Sequence, residues 1–229
     1  MAGVLADVGP YEAAIVAHVN ATRGEAHLAP LAVSPALAKA ARDYAHLLAA
    51  SGQFSHTADA TFDVRATRAG YQACAVAENL ALRREGALTA MTLAWSTIGG
   101  WLASPAHHHN LMEPGMTQTG VGVAIARAKT PGDAPTFLVV ELFARPQAQR
   151  VSFRIENQTS APVSLHVAGK PQTVSARTTL KLSACAAPTI AFERVGSTLV
   201  SSRYEASDGL VLRVTATAGG DVRVEASHR

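Results

Sequence analysis

The feature that most constrains this 229-residue chain is a change of sequence pattern near Pro146. Before it, alanine-rich segments place apolar residues at the three- and four-residue spacing of amphipathic helices. After it, short β-branched runs alternate with Gly, Pro, Ser and Asn turns, which is typical of closely spaced strands. The sequence therefore predicts two domains, residues 1–148 and 149–229, each long enough to bury a core.

Within residues 1–148, helices are predicted first and strands last. The clearest helix follows Ser34, a favourable N-cap with Pro35 behind it, and ends before Gly52. Further helices are predicted at 11–23, 61–69, 88–102 and 105–112, and strands at 120–126 and 136–143. The helix at 88–102 is expected to bury Trp95, Ile98 and Leu102. Helices followed by strands, without regular βαβ alternation, indicate an α+β fold built as an αβα sandwich.

The second half contains short strand candidates separated by turns. These are 151–156, 163–167, 173–175, 178–182, 189–192, 210–217 and 222–225, with turns expected at segments such as 168–171 and 208–209. Strands this short and closely spaced predict a small all-β sandwich.

Composition and charge exclude several classes of protein. No stretch approaches the ~18 consecutive apolar residues of a membrane-spanning helix. Residues 1–150 carry 11 basic and 11 acidic side chains, whereas residues 151–229 carry nine and six, so the second half is mildly basic. Neither half has a cluster of Lys and Arg, and nucleic acid is therefore not an expected partner.

The two cysteines, Cys74 and Cys185, lie in different halves. They could form one disulfide between the halves if the protein reaches an oxidising compartment. The N-terminus lacks a basic region followed by a long apolar run. A cytoplasmic protein and a mature secreted chain both remain open at this point.

Seven of the nine histidines fall in the first 150 residues, and three of them are consecutive, at 107–109. Successive helical residues point ~100° apart, so these three cannot converge on one ion. His107 would lie in the first turn of the predicted helix, where the positive end of the helix dipole favours a neutral imidazole able to act as ligand or base. His108 and His109 are expected to lie on a solvated face.

Two other positions combine polar chemistry with local context. His56 follows a helix end, and Glu78 with Asn79 is embedded among apolar residues. Two neutral histidines and a carboxylate can bind Zn²⁺ with a water molecule as the fourth ligand, or they can form a hydrogen-bonded network without metal. Covalent catalysis has little support, because there is no Gly-x-Ser-x-Gly motif and Ser55 is only a sequence neighbour of His56.

A set of short motifs occurs along the chain in a specific order. They are Val19-Asn20-Ala21-Thr22-Arg23, Ser34-Pro35-Ala36-Leu37, Phe54-Ser55-His56, Ala77-Glu78-Asn79-Leu80, Trp101, Ser104-Pro105-Ala106-His107, Asn110-Leu111-Met112 and Gly120-Val121-Gly122. Each is weak alone, but their order and spacing are specific. Over residues 11–146 the chain resembles the CAP superfamily of cysteine-rich secretory proteins, antigen 5 and plant pathogenesis-related class-1 proteins, and it looks most like the bacterial secreted branch.

The resemblance implies an αβα three-layer sandwich with a central cleft, lined by two histidines and two glutamates that bind zinc in some members. By motif, His56 and His107 match the two histidines and Glu78 matches the first glutamate. These three are therefore the candidate metal ligands and the candidate catalytic residues. Zn²⁺ is the one cofactor that the resemblance suggests.

The second glutamate of the family pattern is missing, because Ser104 stands at its place, three residues after Trp101. Ser104, Asn79 and Glu141 are expected to line the cleft. Glu141 stands where the bacterial branch usually has glutamine. It would either supply the missing carboxylate or point outward from its strand.

Three functions compete on this basis. The favoured one is a non-enzymatic, secreted or periplasmic binding module for an envelope component, a lipid or a protein, since the tetrad is incomplete and no nucleophile is evident. The alternatives are a zinc-dependent hydrolase or peptidase, and a lipid or sterol carrier using Trp95, Trp101 and Met112. The resemblance favours secretion, with the signal peptide absent from this sequence and Cys74 joined to Cys185.

Overall fold

The structure is a computed structural model that describes residues 7–86, 88–126, 132–217, 219 and 221–228. The chain forms two compact units, Met1–Gln147 and Ala148–Arg229. Helices and strands mix in the first unit, and the second consists of strands apart from one short 3₁₀ turn at its start. The predicted α+β fold with a strand-rich C-terminal region is confirmed.

The first unit is built around a four-stranded sheet. Its elements are α1 (Gly9–Glu25), β1 (Ala32–Val33), α2 (Pro35–Ser51), α3 (Phe62–Arg68), β2 (Ala73–Arg84), α4 (Ala90–Leu102), α5 (Pro105–Met112), β3 (Gln118–Ala126) and β4 (Thr136–Pro146). The strand order is β1-β3-β4-β2, with β1 parallel to β3 and the other pairs antiparallel. Strand β2 is therefore one edge of the sheet.

Helices cover both faces of this sheet. Side chains alternate between the two faces of a strand, so β4 contributes to both layers. Phe137 and Phe143 pack in the core beneath α1, α4 and α5, whereas Leu138 and Leu142 pack in the core beneath α2 and α3. The unit is thus an αβα sandwich with two separate cores.

Helix α2 begins and ends where its sequence predicts. The Ser34 hydroxyl accepts a hydrogen bond from the amide of Leu37 at 3.5 Å, and Gly52 ends the helix in the left-handed conformation with φ 70°. The helix lies directly on β3, because a Cβ on Gly120 or Gly122 would overlap the helix backbone. These two glycines allow α2 to pack closely against the sheet.

The second unit is a two-sheet sandwich. After the 3₁₀ turn Gln147–Gln149, its strands are β5 (Val151–Asn157), β6 (Val163–Val167), β7 (Lys170–Val174), β8 (Thr179–Ala184), β9 (Thr189–Val195), β10 (Thr198–Glu205), β11 (Leu210–Ala216) and β12 (Val222–His228). The sheets have the orders β10-β9-β6-β7 and β12-β11-β5-β8. Ile155 and Leu212 from one sheet share a core with Leu165 and Ile190 from the other.

Three strands were not predicted. Strand β10 was missed because Ser201-Ser202 interrupts its apolar pattern, β1 because it has two residues, and β2 because apolar residues cover both its faces. Strand β7 begins earlier than predicted, since Ala168 and Gly169, at φ 50° and 74°, make the turn alone. Pro171 is then accommodated on an edge strand.

The predicted burial of Trp95 and Leu102 is wrong. Helix α4 buries the face that carries Leu93, Ile98 and Trp101. Trp95 lies outside this face and is 63% exposed, and Leu102 is 38% exposed. The Trp95 ring stacks on the ring of His18, with 5.1 Å between the centroids. The spacing of apolar residues alone did not determine which face of α4 packs against the sheet.

Within the described residues, no helix combines the length and the apolar character needed to span a membrane. Cys74 and Cys185, which are the two cysteines of the chain, are both disulfide-bonded. The predicted disulfide is therefore confirmed.

Candidate functional site

The candidate residues gather at the edge strand β2. Glu78 and Asn79 are neighbours in sequence but point to opposite faces, Glu78 toward α2 and α3 and Asn79 toward α4 and α5. Side chains from α4 and α5 also reach this edge: Trp101 Nε1 donates to the carbonyl of Leu80 at 2.9 Å, and Asn110 Nδ2 donates to that of Glu78 at 3.2 Å. Groups from both layers thus meet at one edge of the sheet.

The Glu78 carboxylate uses both of its oxygens inside the protein. His56 Nδ1 lies 2.8 Å from Oε1, and Oε2 accepts a hydrogen bond from Arg65 Nη2. The Glu78 side chain is completely buried, whereas that of His56 is 49% exposed. Burial raises the pKa of Glu78, and the charge of Arg65, with the hydrogen bonds from Arg65 and His56, opposes that rise.

This contact determines which nitrogen of His56 is available to a ligand. A carboxylate acceptor at Nδ1 favours the tautomer that carries its proton there, and the unprotonated nitrogen is then Nε2. Glu78 therefore positions the imidazole and sets its tautomer, and it is not itself free to bind a ligand.

Arg65 holds the loop that carries His56. Its guanidinium, on a side chain that is 5% exposed, donates to the carbonyl of His56 at 3.1 Å and to that of Ala60, and it lies over the Tyr44 ring with 3.4 Å between Cζ and the centroid. Such stacking of a guanidinium on an aromatic face is favourable.

Tyr44 holds the same loop from α2. Its hydroxyl donates to the carbonyl of Ser55 and accepts a hydrogen bond from the amide of Ala58 at 3.0 Å. The apolar spacing of α2 predicts Tyr44 only as a core residue and does not reveal this second role. The sequence could have indicated this role, because the hydroxyl of a buried tyrosine usually needs a hydrogen-bond partner.

His107 is brought to the site by buried amides. Asn79 Nδ2 donates to the carbonyl of His107 at 3.0 Å, and Asn110 Nδ2 donates to Asn79 Oδ1 at 3.0 Å, which ties α5 to β2. Desolvation lowers the pKa of His107, and the charge of His56 lowers it further. The ring is therefore neutral at pH 7 and lies within electrostatic reach of His56.

The neighbouring histidines stay outside this arrangement. His108 and His109 are exposed, and His109 Nε2 lies 3.8 Å from a carboxylate oxygen of Glu113 one turn along α5. Ser104 is the N-cap of α5, but its side chain makes no capping hydrogen bond. It contributes a half-buried hydroxyl where the family pattern has a carboxylate.

Glu141 on β4 is the cross-strand partner of Asn79, and it points to the opposite face of the sheet from Glu78. It faces the core beneath α1, it is completely buried, and its Oε1 accepts a hydrogen bond from Thr119 at 2.8 Å while its Oε2 has no partner. Burial raises its pKa to about 8, against the opposing effects of the Thr119 hydrogen bond and the Arg23 charge. Of the two sequence hypotheses for Glu141, the outward-facing side chain is wrong, because the residue is completely buried; its place in the cleft stays a prediction.

The residues present do not fit a zinc site with three protein ligands. His56 and His107 offer two imidazoles, Glu78 is already engaged, and Ser104 replaces the second carboxylate. No group of three or more potential metal ligands occurs among the residues that the structure describes. Zinc enzymes that activate water usually hold the metal with three side chains.

A three-layer αβα sandwich with a histidine pair at the edge strand defines a domain of the CAP class. The family model for the cysteine-rich secretory protein family, CAP, matches residues 16–142, which is more than half of the chain. The chain belongs to this family. A comparison with curated proteins finds no significant match.

Solved structures that are similar to this chain include three bacterial proteins. An outer surface protein of Borrelia burgdorferi is 22% identical, with a TM-score of 0.51, over 62% of this chain and 98% of that one. An extracellular SCP-domain protein of Bacillus anthracis is 22% identical, with a TM-score of 0.48, over 59% of this chain. A cysteine-rich secretory protein of Staphylococcus aureus is 16% identical, with a TM-score of 0.42, over 58%. This chain spans 40% and 38% of the latter two proteins.

Proposed function

We propose that the protein is a secreted or periplasmic binding module, without catalytic activity of its own, whose cleft captures a ligand between His56 and His107. The observation that carries this proposal is the engagement of Glu78. Because Arg65 and His56 occupy both of its carboxylate oxygens, the cleft presents two imidazoles and no activated nucleophile. Suitable ligands are those that accept a hydrogen bond from an imidazole N–H or donate one to an unprotonated imidazole nitrogen.

Placement outside the cytoplasm is supported by the disulfide and by one protein of the same fold. Structural disulfides persist mainly in oxidising compartments. The Borrelia protein, whose chain is matched over almost its whole length, is an outer surface protein. An envelope component, a lipid or a protein would be the natural partner in such a location.

The hydrolase and the carrier have less support. A hydrolase would need a metal site or a nucleophile, and the donor set at His56 and His107 lacks the third ligand within the described residues. A carrier was expected to use Trp101, but that side chain is 2% exposed and its indole nitrogen is bonded to the Leu80 carbonyl. Trp101 is therefore part of the core beneath α4.

Zn²⁺ is the simplest probe of a two-imidazole site. Calorimetric titration at pH 7 should show weak binding that is lost in His56→Ala and in His107→Ala. The matched control is His108→Ala, which removes an exposed imidazole from the same helix and should leave binding unchanged. Binding should also weaken as the pH is lowered, because protons compete with Zn²⁺ for imidazole nitrogens.

Two outcomes would contradict the proposal. Zinc heat that persists in both His56→Ala and His107→Ala, or no heat at all, would remove the cleft as the binding site. If zinc-loaded protein cleaved a peptide library and lost this activity in His56→Ala, the protein would be a hydrolase instead.

A further inference from the structure

A pair of like charges lies face to face on the outer surface of the second unit. Lys181 on β8 and Arg154 on β5 are direct cross-strand partners, and both alternate with side chains, such as Ile155, that face the core. Like charges directly opposite each other destabilise a sheet. Lys181 is exposed and has no ion pair within the described part of the chain.

Glu156 forms an ion pair with Arg154 and none with Lys181 in the described structure. Glu156 accepts hydrogen bonds from Arg154 Nε at 2.8 Å and from Arg213 Nε at 3.1 Å, so its two oxygens already serve two arginines. Arg154 Nη2 is buried and has no hydrogen-bond partner among the described residues. A buried donor without an acceptor is costly, and here it stands beside an uncompensated lysine.

A groove of about 970 Å³ runs over these side chains, and part of that volume is open to solvent. Arg154 and Lys181 line it together with the hydroxyl groups of Ser152 and Ser183. Arg150 Nη1 donates to Ser183 Oγ at 2.9 Å, which brings a third cation to the rim.

One acidic side chain also lines this groove in the described structure. Asp208 Oδ1 accepts a hydrogen bond from the amide of Ser152 at 2.9 Å. That carboxylate is therefore engaged in fixing the chain next to β5. The groove combines three cations, two hydroxyl groups and one engaged acid.

We propose that this groove is a binding site for the phosphate group of an anionic ligand. The arrangement offers more donors than the two oxygens of a carboxylate can accept, whereas a phosphate presents at least two unesterified oxygens and a compact charge that Arg and Lys bind well. The ligand would bridge Lys181 and the accessible part of the Arg154 side chain, which is 23% exposed. This site is separate from the histidine cleft and does not depend on its function.

The test measures binding of inorganic phosphate and of linear polyphosphate by calorimetry on the full chain at low salt. Lys181→Gln should weaken binding by about tenfold, since a charge-assisted hydrogen bond is lost. The matched control is Lys170→Gln, which removes an equal charge from an exposed position in the other sheet and should leave the affinity within about twofold. Arg154→Lys keeps the charge but removes the forked donor, and it should also weaken binding.

The two probes separate the possible sources of the phosphate. Tight binding of polyphosphate with weak binding of free phosphate would identify a polymer, and comparable affinities per phosphate would identify a small ligand. Equal loss in Lys181→Gln and Lys170→Gln would mean that only net charge matters and would overturn the proposal. Failure of both probes to bind folded parent protein at millimolar concentration would overturn it as well.

Discussion

Glu141 offers the sharpest test of the electrostatics of this fold. Its carboxyl is completely buried, and only one of its two oxygens has a hydrogen-bond partner among the described residues. Its pKa rises from an ordinary 4.5 to about 8 in the folded protein. At pH 7 the unfolded chain therefore ionises this group and the folded chain keeps it neutral. Holding it neutral costs about 3 kcal/mol of folding free energy at pH 7, from 1.36 kcal/mol per unit of pKa over the interval between 4.5 and 7.

Replacing Glu141 by Gln removes this titration and keeps an acceptor for Thr119. The sign follows from linkage: the penalty on the parent protein is absent below pH 4.5, grows as the pH rises, and is complete above pH 8. The unfolding free energy of Glu141→Gln minus that of the parent should thus increase by about 3 kcal/mol between pH 4.5 and pH 7. A constant cost of burying the new amide does not affect this difference.

The assay is urea unfolding of both proteins at several pH values, followed by circular dichroism. Glu25→Gln, at the exposed end of α1, controls for the loss of one carboxylate. If the difference between Glu141→Gln and the parent stays constant across this range, the buried carboxyl is ionised in the folded state. The nearby guanidinium of Arg23 would then outweigh burial, and the raised pKa of Glu141 would be refuted.

Three further changes test the packing and the covalent structure. Arg65→Met should lower the unfolding free energy by about 3 kcal/mol in urea titrations, because Oε2 of the buried Glu78 loses its partner. Adding Glu78→Gln should recover part of that loss. Gly120→Ala should destabilise by more than about 2 kcal/mol because its Cβ would overlap α2, whereas Gly99→Ala, with open space around it on α4, should stabilise by about 0.5–1 kcal/mol in the same assay. A thiol assay on denatured, unreduced protein should find no free thiol, and reduction should cost about 2–4 kcal/mol; two thiols before reduction would contradict the disulfide.

Local signals predicted the helices well because their ends carry specific chemistry. Ser34 with Pro35 and Gly52 mark both ends of α2, and the structure confirms each of them. Strand β2 has no such marks. Apolar residues line both of its faces, so the sequence shows neither the alternation of a half-exposed strand nor the spacing of a helix.

The sequence could not predict which face of the sheet each side chain points to. Adjacent residues of a strand point in opposite directions, and a shift of one residue exchanges the two faces. Glu78 and Glu141 were both candidates for the cleft, yet Glu78 points toward α2 and α3 and Glu141 toward α1. His56 contacts Glu78 and the backbone of His107 is held by Asn79, so both histidines lie at β2, but the sheet separates the two carboxylates.

The close seating of α2 on β3 has a consequence for His56. Gly120 and Gly122 contact α2 at two points about one turn apart. Two such contacts fix both the distance of the helix axis from β3 and its orientation along the strand. Tyr44 lies on the next turn and anchors the loop that presents His56. The orientation of the His56 ring thus depends on Gly120 and Gly122, which have no side chain. An added methyl group at either glycine would shift α2, and with it Tyr44 and the loop that carries His56, without contacting the ring itself.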